Sequence, residues 1–140
     1  LSYLLLDVYD AEPYAPQGQR KNGQPLALKL SYLMDIDGKK IADRSAVEIR
    51  EQGIANEVQL ATWHTQMRNI FPDVKKGETI TGILTQDAQT VFYKNNDEIG
   101  RIKDPQFSKA FFDIWLNENT TSPDLRRKLL SGNNSQMAGY

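Results

Sequence analysis

The chain has 140 residues, 39% of them apolar and 25% charged, with a formal net charge of −1 and no cysteine. That length suits one domain with its own core, and the missing thiols exclude disulfides, thiolate catalysis and thiolate metal sites. No apolar run approaches the ~20 residues needed to span a bilayer, and the near-neutral charge gives no electrostatic footprint for nucleic acid.

Residues 1–9 read as a strand, with Leu4, Leu6 and Val8 on one face and Tyr3, Leu5 and Asp7 on the other. The stretch from Pro13 to Gly23 is rich in turn formers and reads as a loop. A second strand is expected over 25–34, with Leu26, Leu28, Leu30 and Tyr32 on one face and the more polar series Ala27, Lys29 and Ser31 on the other. Asp37-Gly38 reads as a turn. Ser45 followed by Glu48 has the form of a capping box and predicts a short helix over 46–52, closed by Gly53. Asn56 followed by Gln59 opens a second helix to about Ile70, with an inner stripe of Leu60, His64 and Met67 flanked by Trp63.

Pro72 and Gly77 punctuate a loop, and three short strands follow at about 78–85, 89–94 and 98–102, the last two joined by a turn at Asn95-Asn96-Asp97. Asp104-Pro105 is a cap-plus-proline start for a helix to about Leu116, apolar on much of its circumference. Ser122-Pro123 repeats that signal for a last helix ending at Gly132, whose Arg126-Arg127-Lys128 run suits the C-terminal end of the helix dipole. The order of elements predicts an α+β fold: a mostly antiparallel sheet with helices packed on one face, an open-faced sandwich. One domain is expected over residues 1–132, with a frayed tail at 133–140. A start at Leu1 rather than Met suggests a processed or trimmed N-terminus, which leaves a targeting segment upstream open.

Four segments resemble the chalcone isomerase-like superfamily, especially its short bacterial branch. They are Asp7 to Pro16 (DVYDAEPYAP), Ile70 to Glu78 (IFPDVKKGE), Gly100 to Asp104 running into Phe111 to Leu116, and Thr121 to Arg126 (TSPDLR). The resemblance implies a large antiparallel sheet covered by helices, with a small-molecule cleft between the two layers. It also implies one of two roles. Plant members close a flavanone ring, whereas other relatives bind fatty acids and catalyse nothing.

Carried over position by position, the plant isomerase residues are not preserved. The first-strand Thr of the family falls on Leu4, the late Thr on Ile114 and its neighbouring Met on Trp115. The family's Arg would precede Leu1, and no tyrosine occurs between Tyr32 and Tyr93 to serve as its Tyr. Ring closure needs polar groups that orient a phenolate and a water, so no catalytic residue is assigned and the plant reaction is not expected.

The remaining candidates have two readings each. His64, the only histidine, is either a core or boundary residue donating to a neighbour or a polar group facing the cleft. Arg50, or Arg44, is either a surface residue or the anchor for a ligand carboxylate, with Tyr14, Lys29 and Tyr32 as alternative polar partners. Trp63, Phe111, Phe112 and Trp115 are core aromatics or the wall of an apolar pocket. No metal site and no cofactor is implied. The expected function is a non-catalytic module holding a small apolar or amphipathic molecule such as a fatty acid. The alternatives are an interaction protein with a filled-in cleft and an isomerase with a rearranged site. The bacterial relatives it resembles are often exported, which suggests a periplasmic protein.

Overall fold

The computed structural model describes residues 8–13, 26–116 and 126–127. Five strands form one sheet in chain order: β1 (Tyr9–Pro13), β2 (Ala27–Tyr32), β3 (Thr79–Leu84), β4 (Thr90–Lys94) and β5 (Asp97–Ile102). Every neighbouring pair is antiparallel. Register assigns each side chain to a face. Tyr9 opposes Tyr32, Leu30 opposes Ile80, and Leu28 opposes Gly82, which in turn opposes Phe92. These residues make the inner face. Glu12, Lys29 and Thr81 share the outer one, as do Tyr93 and Arg101 on β4 and β5.

Three helices cover the inner face: α1 (Gly38–Glu51), α2 (Glu57–Ile70) and α3 (Pro105–Leu116). This is the α+β open-faced arrangement that the pattern of elements predicts. Helix α2 starts as expected, since the Asn56 side chain accepts from Gln59 N–H at 2.7 Å and the Gln59 side chain accepts from Asn56 N–H at 3.2 Å. Helix α3 buries most of its circumference, with Phe107, Ala110, Phe111, Phe112, Ile114 and Trp115 inside the core and Gln106 and Lys109 on an exposed face.

Two sequence expectations are corrected. The first described strand is Tyr9–Pro13, so Pro13 belongs to the strand rather than to the following loop; residues 1–7, with Leu4, lie outside the described part. The helix expected over 46–52 is twice that length and begins at Gly38. Asp37-Gly38 is therefore its N-terminus and not a turn. Ser45 sits mid-helix, where its hydroxyl donates to the Ile41 carbonyl at 2.9 Å instead of capping. The end is as expected: Gly53 takes φ 76° just past the helix, the left-handed geometry that glycine tolerates. The helix expected over 122–132 is described only at Arg126 and Arg127, which are helical; Arg126 Nε donates to the Leu116 carbonyl at 2.8 Å.

The N-terminus of α1 is fixed by a close backbone approach. Gly38 N–H donates to Asp73 Oδ1 at 2.9 Å. A Cβ at position 38 would meet the Phe71 carbonyl oxygen at 2.1 Å, a distance real carbon atoms do not adopt. The adjoining segments are tied by a two-way bridge in which Ile36 and Val74 exchange backbone hydrogen bonds at 3.0 Å. Gly38→Ala should lower stability by about 2 kcal/mol or more, since the clash is with backbone that cannot rotate away. Urea denaturation reads this directly; an unchanged midpoint would contradict the contact.

Candidate functional site

Helix α1 packs mainly on α2 and α3 and makes few close approaches to the sheet. Three sets of contacts hold it there. Ala42, Ala46 and Ile49 are buried in the helical layer. Asp43 takes hydrogen bonds from Arg68 at 2.6 Å and pairs with His64 Nε2 at 2.6 Å. Gln52 Nε2 donates to the Ala110 carbonyl at 2.9 Å. The space left between α1 and the strands is a cavity of about 290 Å³.

Its walls are unequal. The sheet contributes Leu28, Leu30, Ile80, Gly82 and Phe92, and helix α3 contributes Phe111, Ile114 and Trp115. Rings lock that end, with Phe92 5.2 Å from Phe111 and Phe111 5.3 Å from Trp115, both pairs edge-on. The polar lining comes from α1, where Lys40, Arg44, Ser45 and Glu48 join Ile41 along the side facing the strands. Opposite them lie Tyr9 and Tyr32, ring centroids 5.6 Å apart in an edge-to-face pair.

The polar groups are not all satisfied. Arg44 Nη2 donates to Glu48 Oε2 at 2.6 Å, but Arg44 Nε is buried with no hydrogen-bond partner. The Tyr32 hydroxyl is likewise buried, and neither group has a hydrogen-bond partner among the described residues. Tyr9 differs, because its hydroxyl is engaged by the Trp115 side chain. Burial pushes both phenols well above the usual tyrosine range; for Tyr9 the neighbouring Tyr32 adds to the effect. The cavity therefore presents two neutral or cationic donors, an O–H and an N–H, to whatever occupies it.

The residues singled out from sequence divide into three groups. Tyr32, Phe111, Ile114 and Trp115 line the cavity, and so does Arg44. Lys29, Arg50, Trp63 and His64 do not. Lys29 is on the outer face of β2. Arg50 is exposed and pairs with Glu57 at 2.9 Å. Trp63 is buried in the core, packs edge-on against Phe107 and donates from Nε1 to Asp104 Oδ2 at 3.1 Å. His64 leaves the apolar stripe to its neighbours Leu60, Trp63 and Met67 and pairs with Asp43 between α1 and α2. Leu4 and Tyr14 lie outside the described residues.

Lys40, Ser45, Glu48 and Tyr9 are cavity residues that the sequence reading did not single out. The misplaced helix start accounts for the three on α1. A signal was present, because Asp37 can flank a helix whose apolar positions Ile41, Ala42, Ala46 and Ile49 keep a helical spacing. Among the described residues no group of His, Asp and Glu is placed to hold a metal ion, and no helix is long and apolar enough to cross a membrane.

This layered architecture, with its cavity under the helices, has known counterparts. The sequence profile described as chalcone isomerase-like matches residues 2–131, and the chain belongs to that family. A crystal structure of a fatty-acid-binding protein from Arabidopsis thaliana superposes with a TM-score of 0.62 at 10% identity, covering 81% of this chain and 59% of the plant one. The chain thus spans little more than half the length of that protein, and the likeness is one of fold. No curated protein sequence matches significantly.

The buried phenols give a pH prediction. Both stay protonated in the fold, while in the unfolded chain they ionise near pH 10. Stability is therefore fully present below about pH 10 and falls as pH rises above it. Ultraviolet titration should show these two phenols ionising only with unfolding. Their ionisation near pH 10 in a still-folded protein would contradict the burial.

Proposed function

We propose that this protein is a non-catalytic binding module that holds an amphipathic acid of the fatty-acid kind, with its hydrocarbon tail against the sheet and α3 and its carboxylate against α1. The observation that carries this reading is the pair of buried donors with no partner among the described residues, Tyr32 O–H and Arg44 Nε–H, in a cavity whose sheet and α3 walls are apolar. Buried polar groups are costly without partners, and two donors call for an acceptor. A carboxylate supplies two oxygens, and a guanidinium suits it better than any other side chain. Lys40 adds to the attraction: with Arg44 and Glu48 it leaves two cations to one anion among the lining side chains.

The binding role of the plant structural neighbour supports the same reading, as does the identity of Ile114, where plant isomerases keep a Thr. Ile114 and Trp115 line the cavity and offer no hydroxyl to steer a phenolate. A cavity of about 290 Å³ also speaks against the filled-in interaction protein. The two residues first considered for a rearranged isomerase, His64 and Arg50, sit away from it. The resemblance to exported bacterial relatives supports a periplasmic setting reached through a removed signal peptide.

Isothermal titration with decanoate and decanol separates head-group recognition from simple partitioning. Tyr32→Phe should weaken decanoate about tenfold and Arg44→Met more, as expected for hydrogen bonds to a charged partner. Decanol affinity should change little in either variant. Equal effects on acid and alcohol, or none on the acid, would overturn the proposal. Chalcone should cyclise no faster with the protein than in buffer.

A further inference from the structure

We infer that the cavity selects acids by length, that the preferred tail is medium-chain with about ten carbons, and that Gly82 sets the limit. This rests on the head-group reading proposed above and adds a specificity rule to it.

Two measures of the cavity agree. At roughly 30 Å³ for each water-sized group, a volume of about 290 Å³ holds about ten such groups. Distance along the sheet gives the second measure. The Tyr32 N–H donates to the Glu78 carbonyl at 2.9 Å, so the polar end lies level with the start of β3. Gly82 is four residues further along β3, a run of roughly 13 Å at ~3.3 Å per residue. An extended chain advances about 1.1–1.2 Å per bond, so about eleven bonds connect the two ends.

The far end is closed by rings around a missing side chain. A Cβ at Gly82 would lie 3.5 Å from Phe111, 3.6 Å from Phe92 and 3.8 Å from Phe112, all ordinary contacts. Alanine therefore fits there without displacing anything, and a larger side chain would extend among cavity-lining groups. Gly82 itself is among the residues lining the cavity, on the inner face between Leu28 and Phe92. Nothing in its backbone explains the glycine, since its φ is not in the left-handed region. Room for the ligand's methyl end does explain it. Valine at this position adds three carbons, about 90 Å³ at the same packing, and removes room for about three methylenes.

The test is isothermal titration of the full chain with hexanoate, octanoate, decanoate, dodecanoate and hexadecanoate, each with its matching alcohol. For the wild type, affinity should climb about fourfold with each CH₂ added up to decanoate and then level or fall. In Gly82→Val decanoate should bind at least tenfold more weakly while hexanoate stays within threefold. Gly82→Ala should give a smaller shift in the same direction and guards against a folding defect in the valine variant, with thermal melts of both as control. Affinity that keeps climbing to hexadecanoate in the wild type would overturn the length rule. So would an equal loss at every length in folded Gly82→Val. Acids and alcohols binding equally, with the length limit intact, would overturn the head-group reading and leave the length rule standing. No binding at any length overturns both.

Discussion

The backbone contact between Gly38 and the Phe71–Pro72 segment is the constraint on which the functional layer depends. It brings the first turn of α1 against the end of α2, with Asp73 accepting the Gly38 N–H at 2.9 Å. From there α1 runs within the helical layer, where Ala42, Ala46 and Ile49 pack with α2 and α3. Its other side, Ile41, Arg44, Ser45 and Glu48, looks across at the strands without closing on them. A single methyl group at position 38 would move the helix and with it the polar half of the cavity.

That geometry divides the labour between layers. The sheet and α3 supply rings and branched apolar side chains in fixed register, a rigid wall suited to a hydrocarbon. Helix α1 supplies the charges, and β1 and β2 add two phenols opposite them. The Tyr9 hydroxyl lies by the Trp115 side chain, whereas the Tyr32 hydroxyl has no hydrogen-bond partner among the described residues. The two adjacent tyrosines thus differ in their hydroxyl surroundings although both rings are buried.

Strands β2 to β5 and helices α2 and α3 were legible because their signals are local. Alternation along β2, the Asn56–Gln59 capping box and the Asp104-Pro105 start each act within a few residues of the chain. Helix α1 was not legible in the same way. Its start depends on Asp73, 35 residues from Gly38, and Ser45-x-x-Glu48 imitated a start inside the helix. The same error hid Lys40, Ser45 and Glu48 of the cavity lining. Arg44 and Arg50 are six residues apart and chemically alike, yet one faces the strands and the other pairs with Glu57 in solvent. Likewise His64 lies one residue from buried Trp63, but its pairing with Asp43 turns it to the helix–helix seam. Burial and partner decide these cases, and neither is written in the residue type.

The central claim is that a ligand lies between the layers in one orientation, head toward α1 and tail toward Gly82. Intermolecular nuclear Overhauser effects from bound decanoate measure this most directly. The account predicts contacts from the methyl end to the rings of Phe92 and Phe111 and from the protons beside the carboxylate to Tyr32. Contacts confined to the outer face of the sheet, or methyl contacts to Tyr32 with the carboxylate end at Phe111, would contradict it.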